Sequence, residues 1–514
     1  MLRTDLIAPV PELLKRQADV RGDKTAFSDV RASISYGDLN TTTANLAGHL
    51  QDLGVQLGDK VALLLPNSIA WIQGCFATLR AGAISVPISY EAAEPEIAYR
   101  LADAGCRTVI TTDERGEAVI RAGGGQPTRL ILVDRGAERY DGIRFADLVG
   151  TAPAEAPRDP SGILDPSFII YTSGTTGRAK GVLLSQHSML WVTAACWAPI
   201  AGLSAEDVVL SPLPLFHSYA LNFSVLSVLA TGATEHLCEK FSTQETLRML
   251  SDGRFSLMPG VPTMFNYLVQ AAGRDVTAFP GLRLCISAGA IMPATLNREF
   301  EERFGVPLLD GYGITETSTM VTMNWPTGGR VPGSCGLPVP GLAVRIVDAV
   351  EQRDVPVGDE GELIVRGPNL MQGYHNKPDE TAAVLRDGWY HTGDLARSDV
   401  NGFLTITGRL KELVIRGGQN IAPAEIEEAA SLFDGVGDCA VVGIPHESLG
   451  EVPILFIVLK DGHDLVLQEL HDHCRQRLSS YKVPEAIHVV DEIPRTGSGK
   501  IMRFRLREYL KQLS

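Results

Sequence analysis

The stretch from Tyr171 to Val182 combines side chains and glycines that could hold a phosphate group. Gly174, Gly177 and Gly181 let the backbone turn with φ of either sign, so successive N–H groups can point into one concavity where an anion binds. Lys180 adds a positive charge, and hydroxyl groups could donate to phosphate oxygens or help to hold a metal ion. The hydroxyl groups belong to Thr172, Ser173, Thr175 and Thr176. This chemistry suits a nucleoside triphosphate.

A solvated loop is the alternative interpretation of this composition, but the apolar, strand-like run Phe168 to Ile170 just before it favours a phosphate site. The stretch is not a Walker A loop, because Lys180 does not directly follow a glycine. The second Gly-Lys pair, which contains Lys500, fails as well, since Pro494 stands where the first glycine belongs and Ile501 where a hydroxyl belongs. The sequence therefore disfavours a kinase-like or GTPase-like fold.

The stretch resembles the signature of the adenylate-forming superfamily, which includes acyl-CoA and aryl-CoA synthetases, adenylation domains of peptide synthetases, and luciferases. One position differs, since Ala179 stands where the family usually has proline. Further landmarks follow in the family's order along the chain, up to Lys500. The whole chain is therefore identified as a member of this superfamily, in its acyl- and aryl-CoA synthetase branch. The resemblance implies that it uses ATP, Mg²⁺ and coenzyme A (CoA).

The resemblance implies a nucleotide site around the segment Asp310 to Thr317. Tyr312 would stack on adenine, Thr315 would contact the α-phosphate, and Glu316 would reach Mg²⁺, which prefers carboxylate and phosphate oxygens. Asp394, an ordinary turn carboxylate in most proteins, would hold the ribose hydroxyls. The residues assigned to ATP and AMP are Thr172, Ser173, Gly174, Thr175, Thr176, Gly177, Lys180, Gly289, Ala290, Asp310, Gly311, Tyr312, Gly313, Thr315, Asp394, Ile406, Arg409 and Lys500. Those assigned to catalysis are Lys500, His217, Thr175, Glu316 and Arg409, and those assigned to Mg²⁺ are Thr175 and Glu316.

The turn Pro212 to Asn222 presents a Phe-His pair that the resemblance places at the acyl pocket. His217 is as readily interpreted as a structural histidine, but in CoA synthetases the matching residue closes the pocket and then admits the pantetheine arm of CoA. The matching tyrosine, here Tyr219, lines the pocket in the coumarate-CoA ligase branch. The expected pocket residues are His217, Tyr219, Phe223, Met258, Val261 and Gly289. Since a buried charge without a partner is very costly, this lining predicts an apolar fatty or aromatic acid.

Strand and helix patterns alternate in the first part of the chain. The first of these elements are a helix over Tyr36–Leu53, a strand over Lys60–Leu65 and a helix over Ile69–Ala81. This spacing predicts parallel sheets covered by helices on both faces, as in doubly wound α/β folds. A later strand, Leu282 to Ser287, ends in the small residues Ala288 to Ala290, which leave room for a flat ligand. From Gly333 to Leu404, short strands with turn residues predict a small barrel-like β lobe.

We expect an α/β fold with a large N-terminal domain, residues 1–409, built from two doubly wound lobes and the β lobe. Residues 410–514 would form a small, mobile α+β lid domain. Lys411 stands at the family's hinge position, and the residues that match the CoA tunnel are Lys411, Gly417, Gly418 and Gln419. Coumarate ligases have a lysine where Ile415 stands and a glutamine where Asn420 stands, and this difference disfavours a phenylpropanoid acid.

Lys500 lies in a polar stretch where a lysine is usually only solvated. In the family, the matching lysine clamps the substrate carboxylate and the α-phosphate during adenylation. Pro494, Gly499 and Lys500 also resemble the context that protein acetyltransferases recognise in bacterial CoA ligases. The resemblance therefore implies a protein lysine acetyltransferase that acts on Lys500, and acetylation would remove the positive charge.

Composition argues against several other classes of protein. The chain has 514 residues, of which 45% are hydrophobic, and its 46 basic and 61 acidic side chains give a net charge of −15, which disfavours nucleic-acid binding. Its eight cysteines form no CxxC pair, which suits a reducing compartment. His471, His473 and Cys474 would not converge on one ion if they lie on a helix. With no signal pattern and no long apolar run, we expect a cytoplasmic protein without a transmembrane segment.

The resemblance implies two half-reactions: a carboxylate attacks the α-phosphorus of ATP to give acyl-AMP and pyrophosphate, and the CoA thiol then attacks the acyl-AMP. A stand-alone enzyme that loads a carrier protein is the alternative. Amino-acid activation is disfavoured because those domains place aspartate where His217 stands, and an inactive scaffold is disfavoured because Glu316, Asp394 and Lys500 are all present. The sequence leaves open the identity of the acid and whether the enzyme is a monomer or a homodimer.

Overall fold

The computed structural model describes residues 2–123, 129–134, 140, 142–172, 178–273, 276, 278–417, 419–460, 462–495 and 501–513. These residues form two large mixed sheets, a smaller β lobe and a C-terminal α+β unit. Within them, every helix is too short or too polar to cross a lipid bilayer.

The strands and helices follow one another along the chain as the α/β prediction requires. The strands are β1 (Thr25–Ser28), β2 (Ser33–Ser35), β3 (Lys60–Leu64), β4 (Ile84–Pro87), β5 (Thr108–Thr111), β6 (Arg129–Leu132), β7 (Ile143–Arg144), β8 (Pro166–Thr172), β9 (Lys180–Ser185), β10 (Val208–Ser211), β11 (Thr234–Leu237), β12 (Leu257–Gly260), β13 (Leu284–Ser287), β14 (Leu308–Ile314), β15 (Thr319–Met323), β16 (Leu337–Pro338), β17 (Ala343–Val347), β18 (Gly361–Arg366), β19 (Gly373–Tyr374), β20 (Leu385–Arg386), β21 (Trp389–Ser398), β22 (Leu404–Arg409), β23 (Val414–Arg416), β24 (Gln419–Ile421), β25 (Val436–His446), β26 (Gly450–Leu459) and β27 (Ala486–Val489). The α-helices are α1 (Val10–Arg21), α2 (Tyr36–Asp52), α3 (Ile69–Arg80), α4 (Glu94–Ala104), α5 (Asp113–Ala122), α6 (Phe145–Gly150), α7 (Gln186–Val192), α8 (Ser218–Ala220), α9 (Val228–Thr231), α10 (Thr243–Ser251), α11 (Pro262–Ala271), α12 (Ala294–Phe304), α13 (Pro378–Val384), α14 (Pro423–Ser431), α15 (Leu467–Arg477) and α16 (Arg503–Leu513). Short 3-10 turns cover Thr4–Leu6, Thr315–Thr317, Leu410–Glu412 and Ser480–Lys482, and π-helical segments cover Thr193–Trp197 and Leu221–Ser227.

The first predicted helices are confirmed almost to the residue, and their N-termini are capped by serine. Ser35 accepts a hydrogen bond from the backbone N–H of Asp38 at the start of α2, and Ser68 accepts one from Trp71 at the start of α3. These side chains satisfy backbone donors that the helix itself leaves unpaired. Both helices pack on the apolar core of the first part of the chain.

The first large sheet has the strand order β19-β9-β8-β4-β3-β5-β6-β7. From β8 to β7 all neighbours run parallel, and β3 and β4 are buried along almost their whole length, as expected for strands covered on both faces. At the other edge, β8 and β9 form an antiparallel hairpin in which Thr172 pairs with Lys180. The described residues that flank the predicted phosphate-binding stretch therefore pair as a hairpin, which the sequence analysis did not predict.

The second large sheet has the order β16-β15-β14-β13-β12-β10-β11-β1-β2. The six central strands, β14, β13, β12, β10, β11 and β1, run parallel to one another. The edge strands β2, β15 and β16 pair antiparallel with their neighbours. The carboxyl ends of the parallel strands therefore meet along one edge, where doubly wound folds bind their ligands.

Two smaller units, antiparallel except for the parallel pairing of β27 with β26, complete the fold. The predicted β lobe contains the strands β17-β18-β21-β20, with β22 paired to β21. The C-terminal unit has the order β24-β23-β26-β25, with β27 beside β26, and α14 and α15 cover one face of this sheet while α16 covers the other. The α/β class, with a large N-terminal and a small C-terminal part, is confirmed.

One ionisable side chain, Glu235 on β11, is completely buried in the second sheet. Its neighbours include the hydroxyl groups of Ser211 and Ser224, which hydrogen bond to each other at 2.9 Å. Burial raises the pKa of Glu235 well above its ordinary value, while the two hydroxyl groups act in the opposite direction. Glu235 therefore stays protonated in the folded protein at pH values at which the unfolded chain is ionised.

We expect this difference to make the protein less stable as the pH rises. Above the ordinary glutamate pKa of about 4.3, the unfolded chain releases the proton and the folded chain keeps it, so the free energy of unfolding falls with pH. Glu235→Gln keeps the shape without the ionisation and should raise the melting temperature at pH 8, by the equivalent of roughly 1–3 kcal/mol, and much less at pH 5. The exposed Glu239→Gln is the control. Identical pH dependence in wild type and Glu235→Gln would contradict the expectation.

Candidate active site

The carboxyl ends of β13 and β14 form the floor of the candidate nucleotide site. β13 ends at Ser287 and leads into Gly289 and Ala290, which are both exposed. Gly289 has a φ of 88°, a conformation that favours glycine. A Cβ atom at this position would lie 3.7 Å from the Cγ1 atom of Val261, a predicted acyl-pocket residue. The turn therefore brings the predicted nucleotide and acyl sites together, as the sequence analysis proposed for Gly289.

β14 approaches its neighbour β15 so closely that it needs glycine. A Cβ atom on Gly313 would lie 1.3 Å from the carbonyl oxygen of Thr319, and the register of the two strands shifts between Tyr312 and Gly313. Such a bulge re-aims the neighbouring side chain. Tyr312 packs against the apolar cluster of the β lobe, and its hydroxyl group donates a hydrogen bond to Oδ2 of Asp394.

Asp394, Tyr312 and Arg409 form one polar cluster between β14 and the β lobe. Asp394 on β21 lies directly opposite Arg409 on β22, and the Arg409 Nε atom is 2.7 Å from Oδ1 of Asp394. The Asp394 side chain is only 3% exposed. Burial and the Asp394 carboxylate raise the pKa of Tyr312 well above its ordinary value, so its hydroxyl group remains a donor. The structure thus brings together three residues that the resemblance assigned to the nucleotide.

A polar cavity of about 250 Å³ lies beside Asp310. The Oδ1 atoms of Asp310 and Asn324 are buried and accept no hydrogen bond from the residues that the structure describes. The amide nitrogen of Asn324 donates to the carbonyl oxygens of Asp310 and Ser334, which fixes the amide with its oxygen as the remaining acceptor. Two unused acceptors at a cavity fit a ligand that carries a donor, such as the amino group of adenine.

Burial raises the pKa of Asp310 well above its ordinary value. A protonated Asp310 could itself donate to a ring nitrogen, and an ionised one could accept from an amino group. Either form suits a purine base at the end of β14. The assignment of Asp310 to the nucleotide stays a prediction.

The 3-10 turn Thr315–Thr317 carries the residues that were assigned to the α-phosphate and to Mg²⁺. The hydroxyl groups of Thr315 and Ser218 are 3.0 Å apart, which joins this turn to the segment that follows His217. Glu316 accepts a hydrogen bond of 3.0 Å from the hydroxyl group of Tyr374. Burial raises the pKa of Glu316, while the hydrogen bond from Tyr374 acts in the opposite direction.

These residues fit a magnesium ion that is shared with a nucleotide. Carboxylate oxygen is a preferred ligand of Mg²⁺, and a divalent cation beside Glu316 would favour its ionised form. In the described part of the chain, no group of three or more His, Cys, Asp and Glu side chains could hold a metal ion alone. Glu316 would therefore share the ion with phosphate oxygens, to which Mg²⁺ supplies electrostatic stabilisation.

Lys180 opens β9 and is not isolated. It forms an ion pair with Glu380, and its Nζ atom lies 4.8 Å from the centre of the Tyr374 ring. Tyr374 is therefore in contact with both Lys180 and Glu316, two residues that were assigned to phosphate and metal. Because Glu380 is 40% exposed, the ion pair is weak and can exchange for a phosphate at small cost.

His217 lies half-buried at the N-terminus of α8, where its Nδ1 atom accepts a hydrogen bond of 3.3 Å from the backbone N–H of Tyr219. This bond fixes the imidazole ring against the helix. The neighbouring Ser218 contacts Thr315, so His217 lies between the predicted acyl pocket and the predicted α-phosphate site. Its position suits the gating role that the resemblance implies.

Of the remaining predicted acyl-pocket side chains, Tyr219, Phe223 and Val261 belong to one apolar cluster and form an apolar wall. The structure does not place Met258 with them, because it packs in a separate cluster with Phe265 and Cys285. Tyr219 is 5% exposed, Phe223 and Met258 are fully buried, and Val261 is 6% exposed. The hydroxyl group of Tyr219 donates to the carbonyl oxygen of Ile286 at the end of β13, which fastens the wall to the nucleotide floor. None of the side chains of Tyr219, Phe223, Val261 and Met258 carries a charge.

The start of the predicted lid lies between two ion pairs. Arg409 binds Asp394 of the β lobe, whereas Glu412, three residues later, binds Arg503 of α16 with an Nε to Oε2 distance of 3.2 Å. Lys411 lies between them and is exposed. The predicted tunnel residues Gly417 and Gln419 are exposed as well. One ion pair anchors the chain before Lys411 to the β lobe, and the other anchors the chain after Lys411 to α16. This arrangement is compatible with the predicted hinge at Lys411.

Some predicted site residues lie outside the described residues, so the structure gives no account of them. They are Ser173, Gly174, Thr175, Thr176, Gly177, Gly418 and Lys500. Of the other residues assigned to the nucleotide, Ile406 lies on β22 and Gly311 on β14, next to the polar cluster.

Sequence reasoning missed several residues that support the site. Tyr374 holds Glu316, Asn324 helps to line the cavity beside Asp310, and Trp197 packs against the acyl wall. The first two lie in segments without a motif, so spacing gave no signal. Trp197 follows the helix after the phosphate-binding hairpin, and a buried tryptophan near a predicted pocket is a signal that could have found it.

Comparisons with known proteins agree with this geometry. The family described as AMP-binding enzyme matches residues 14–375, and the family described as AMP-binding enzyme C-terminal domain matches residues 425–500. A feruloyl-CoA synthase from an Amycolatopsis species is 35% identical over 493 residues, which cover 96% of this chain and 97% of that protein. A long-chain-fatty-acid–CoA ligase from Bacillus subtilis strain 168 is 33% identical over 518 residues, covering 95% and 92%. The crystal structure of the anthranilate CoA ligase AuaEII in complex with anthranoyl-AMP superposes with a TM-score of 0.92 at 27% identity, covering 100% and 99%.

Proposed function

The chain belongs to the family of AMP-binding enzymes, and on that premise we propose that the acid it activates is an apolar monocarboxylic acid, aromatic or aliphatic. The enzyme is an AMP-forming acid:CoA ligase that uses ATP and CoA, and Mg²⁺ use is typical of the family. The sequence-based predictions of the family, the fold and the reaction are confirmed. The observation that carries the proposed substrate class is the uncharged wall of Tyr219, Phe223 and Val261.

In the first half-reaction, a carboxylate oxygen of the acid forms a bond to the α-phosphorus of ATP, and the bond to the β-phosphate breaks to release pyrophosphate. We assign adenine to the region between Tyr312 and the turn at Gly289 and Ala290, and the ribose to the cluster of Asp394 and Arg409. Thr315 would donate to the α-phosphate, and Glu316 would hold Mg²⁺ at the phosphates. Donors that are already in place stabilise the charge that develops on the transferred group.

In the second half-reaction, the CoA sulfur forms a bond to the acyl carbonyl carbon, and the bond from that carbon to the AMP oxygen breaks. The thiol must reach a carbon that lies between the acyl wall and the α-phosphate. His217 lies beside this place, and its Nδ1 atom accepts a hydrogen bond from the backbone N–H of Tyr219. We assign to His217 the closure of the acyl pocket during adenylation and the admission of the pantetheine arm afterwards.

The uncharged wall predicts the relative rates for different acids. Because a buried carboxylate or ammonium group without a partner is costly, malonate and amino acids should be activated at least about 10²-fold less efficiently than the best apolar acid. The test is ATP–pyrophosphate exchange with a panel of acids, repeated as CoA thioester formation. A panel in which malonate or an amino acid exceeds every aromatic and medium-chain acid would contradict the proposal.

We also propose that the enzyme works in the cytoplasm and that a protein lysine acetyltransferase modifies Lys500. All eight cysteines are free thiols, and seven of them are buried, which suits a reducing compartment. The acetyltransferase proposal rests on the sequence context of Lys500, with Pro494 and Gly499 before it. Mass spectrometry of the protein purified from its native host, before and after deacetylase treatment, tests it directly.

A further inference from the structure

Two π-helical segments lie side by side behind the acyl wall. Thr193–Trp197 extends α7, and Leu221–Ser227 follows α8. The hydroxyl groups of Thr193 and Ser227 are 2.7 Å apart, which ties the two segments together. π-helical turns are rare and occur frequently at functional sites, because the extra residue in the turn re-aims the side chains around it.

The first segment delivers Trp197 to the back of the acyl wall. The Trp197 ring stacks on Tyr219, with ring centres 6.0 Å apart and an angle of 24°, and it meets Phe223 edge-on at 5.0 Å and 88°. Tyr219 and Phe223 also meet edge-on, at 6.3 Å. Trp197 and Phe223 are fully buried. The three rings therefore pack as one block beside the predicted acyl pocket.

Buried hydrogen bonds hold this block in place. The indole N–H of Trp197 donates to Oδ1 of Asn222 at 2.6 Å, and the amide nitrogen of Asn222 donates to the carbonyl oxygens of Met189 and Ser318 at 2.8 and 3.2 Å. The hydroxyl group of Tyr219 donates to the carbonyl oxygen of Ile286. Moving the Trp197 or Tyr219 ring aside would leave buried donors and acceptors unpaired, which is costly, and Phe223 is packed against both rings. The block is therefore a fixed boundary and does not swing away freely.

From this arrangement we infer that Trp197 and Phe223 close the far end of the acyl pocket and restrict the acid to a compact tail, a single aromatic ring or a short alkyl chain. The inference rests on the proposed function and narrows its substrate class. A long alkyl tail would need the volume that the indole and phenyl rings occupy, and a packed interior does not accept extra methylene groups without strain. A single aromatic ring, in contrast, gains edge-to-face contact with the rings of the wall.

The inference is tested by the kcat/KM values of the purified full-length enzyme for benzoate, phenylacetate, hexanoate, dodecanoate and hexadecanoate in CoA thioester formation. We expect the best compact acid to exceed dodecanoate by at least about 10²-fold. Phe223→Ala and Trp197→Leu should each lower this ratio at least about tenfold by freeing volume. Phe304→Ala is the matched control, because Phe304 is a buried aromatic residue that packs with Phe279 and Phe300 in another cluster, and it should leave the ratio unchanged.

Each outcome decides the inference. A wild-type enzyme that uses dodecanoate or hexadecanoate as well as benzoate overturns it while leaving the proposed function intact. The inference is also overturned if Phe223→Ala and Trp197→Leu melt cooperatively but keep the wild-type ratio of kcat/KM values for the compact acid and dodecanoate. If either substitution prevents folding, the milder changes Phe223→Leu and Trp197→Phe replace it. If no acid of the panel supports pyrophosphate exchange, the proposed substrate class itself fails, and this inference fails with it.

Discussion

Lys500→Ala is expected to lower the rate of acyl-AMP formation by about 10²–10³-fold, which is typical of the loss of one preorganised contact to developing charge. The family resemblance implies that the Lys500 ammonium group bridges the substrate carboxylate and the α-phosphate. Among the described residues, Arg495 and Ile501 form a β-bridge, and Arg495 binds both carboxylate oxygens of Asp438 at 2.9 and 3.0 Å. The measurement is ATP–pyrophosphate exchange with the best acid of the panel.

The second half-reaction gives the contrast that identifies the role of Lys500. Thioester formation from supplied acyl-AMP and CoA should change little in Lys500→Ala, because the bond to the α-phosphate has already formed. Lys511→Ala, an exposed lysine on α16, is the control and should retain both activities. Enzyme acetylated at Lys500 should behave like Lys500→Ala, since acetylation removes the charge. Full exchange activity without the side chain would show that Lys500 is only a solvated lysine.

The parts of the fold that depend on short-range patterns could be predicted from the sequence. The periodicity of apolar residues and the serine caps define α2 and α3, and the apolar run of β3 defines a strand that is buried on both faces. The antiparallel edges of both large sheets could not be predicted. The pairing of β8 with β9 is an example, because it depends on the chain folding back as a hairpin, and no local pattern distinguished a second strand from a helix after β8.

The candidate site also contains residues that could be predicted from the sequence and residues that could not. Glu316 and Asp394 are recognisable because they stand in motifs, and the structure places both in buried polar clusters. Tyr374 is not recognisable, because it reaches Glu316 across 58 positions of sequence and only the pairing of β19 with β9 brings it there. The position of the Trp197 side chain depends on a π-helical turn, in which one additional residue changes the direction of the side chains that follow. Patterns in a single sequence do not reveal such turns.

The last prediction concerns Lys411 as the hinge between the two half-reactions. On one side, Arg409 is fixed to Asp394 in the β lobe. On the other side, Arg503 binds Glu412 and Glu427 and donates to the carbonyl oxygen of Val441, which fixes residue 412 to the C-terminal unit. Burial lowers the pKa of Arg503, but the two carboxylates more than offset this effect, so Arg503 stays charged. These contacts anchor the residues on either side of Lys411, and we predict that rotation takes place in the backbone between them.

Lys411→Pro fixes φ near −65° and should hold the C-terminal unit in one orientation. We expect acyl-AMP formation to persist and thioester formation to fall by at least about 10²-fold, because a misplaced group of even 1 Å can cost that much. Lys411→Ala removes the same side chain without restricting φ, and it should retain both half-reactions. Single-turnover measurements of each half-reaction on the two variants give the comparison. Equal loss of both half-reactions in Lys411→Pro, or equal loss in Lys411→Ala, would place the hinge elsewhere, since a backbone restriction at the true pivot must separate the two steps.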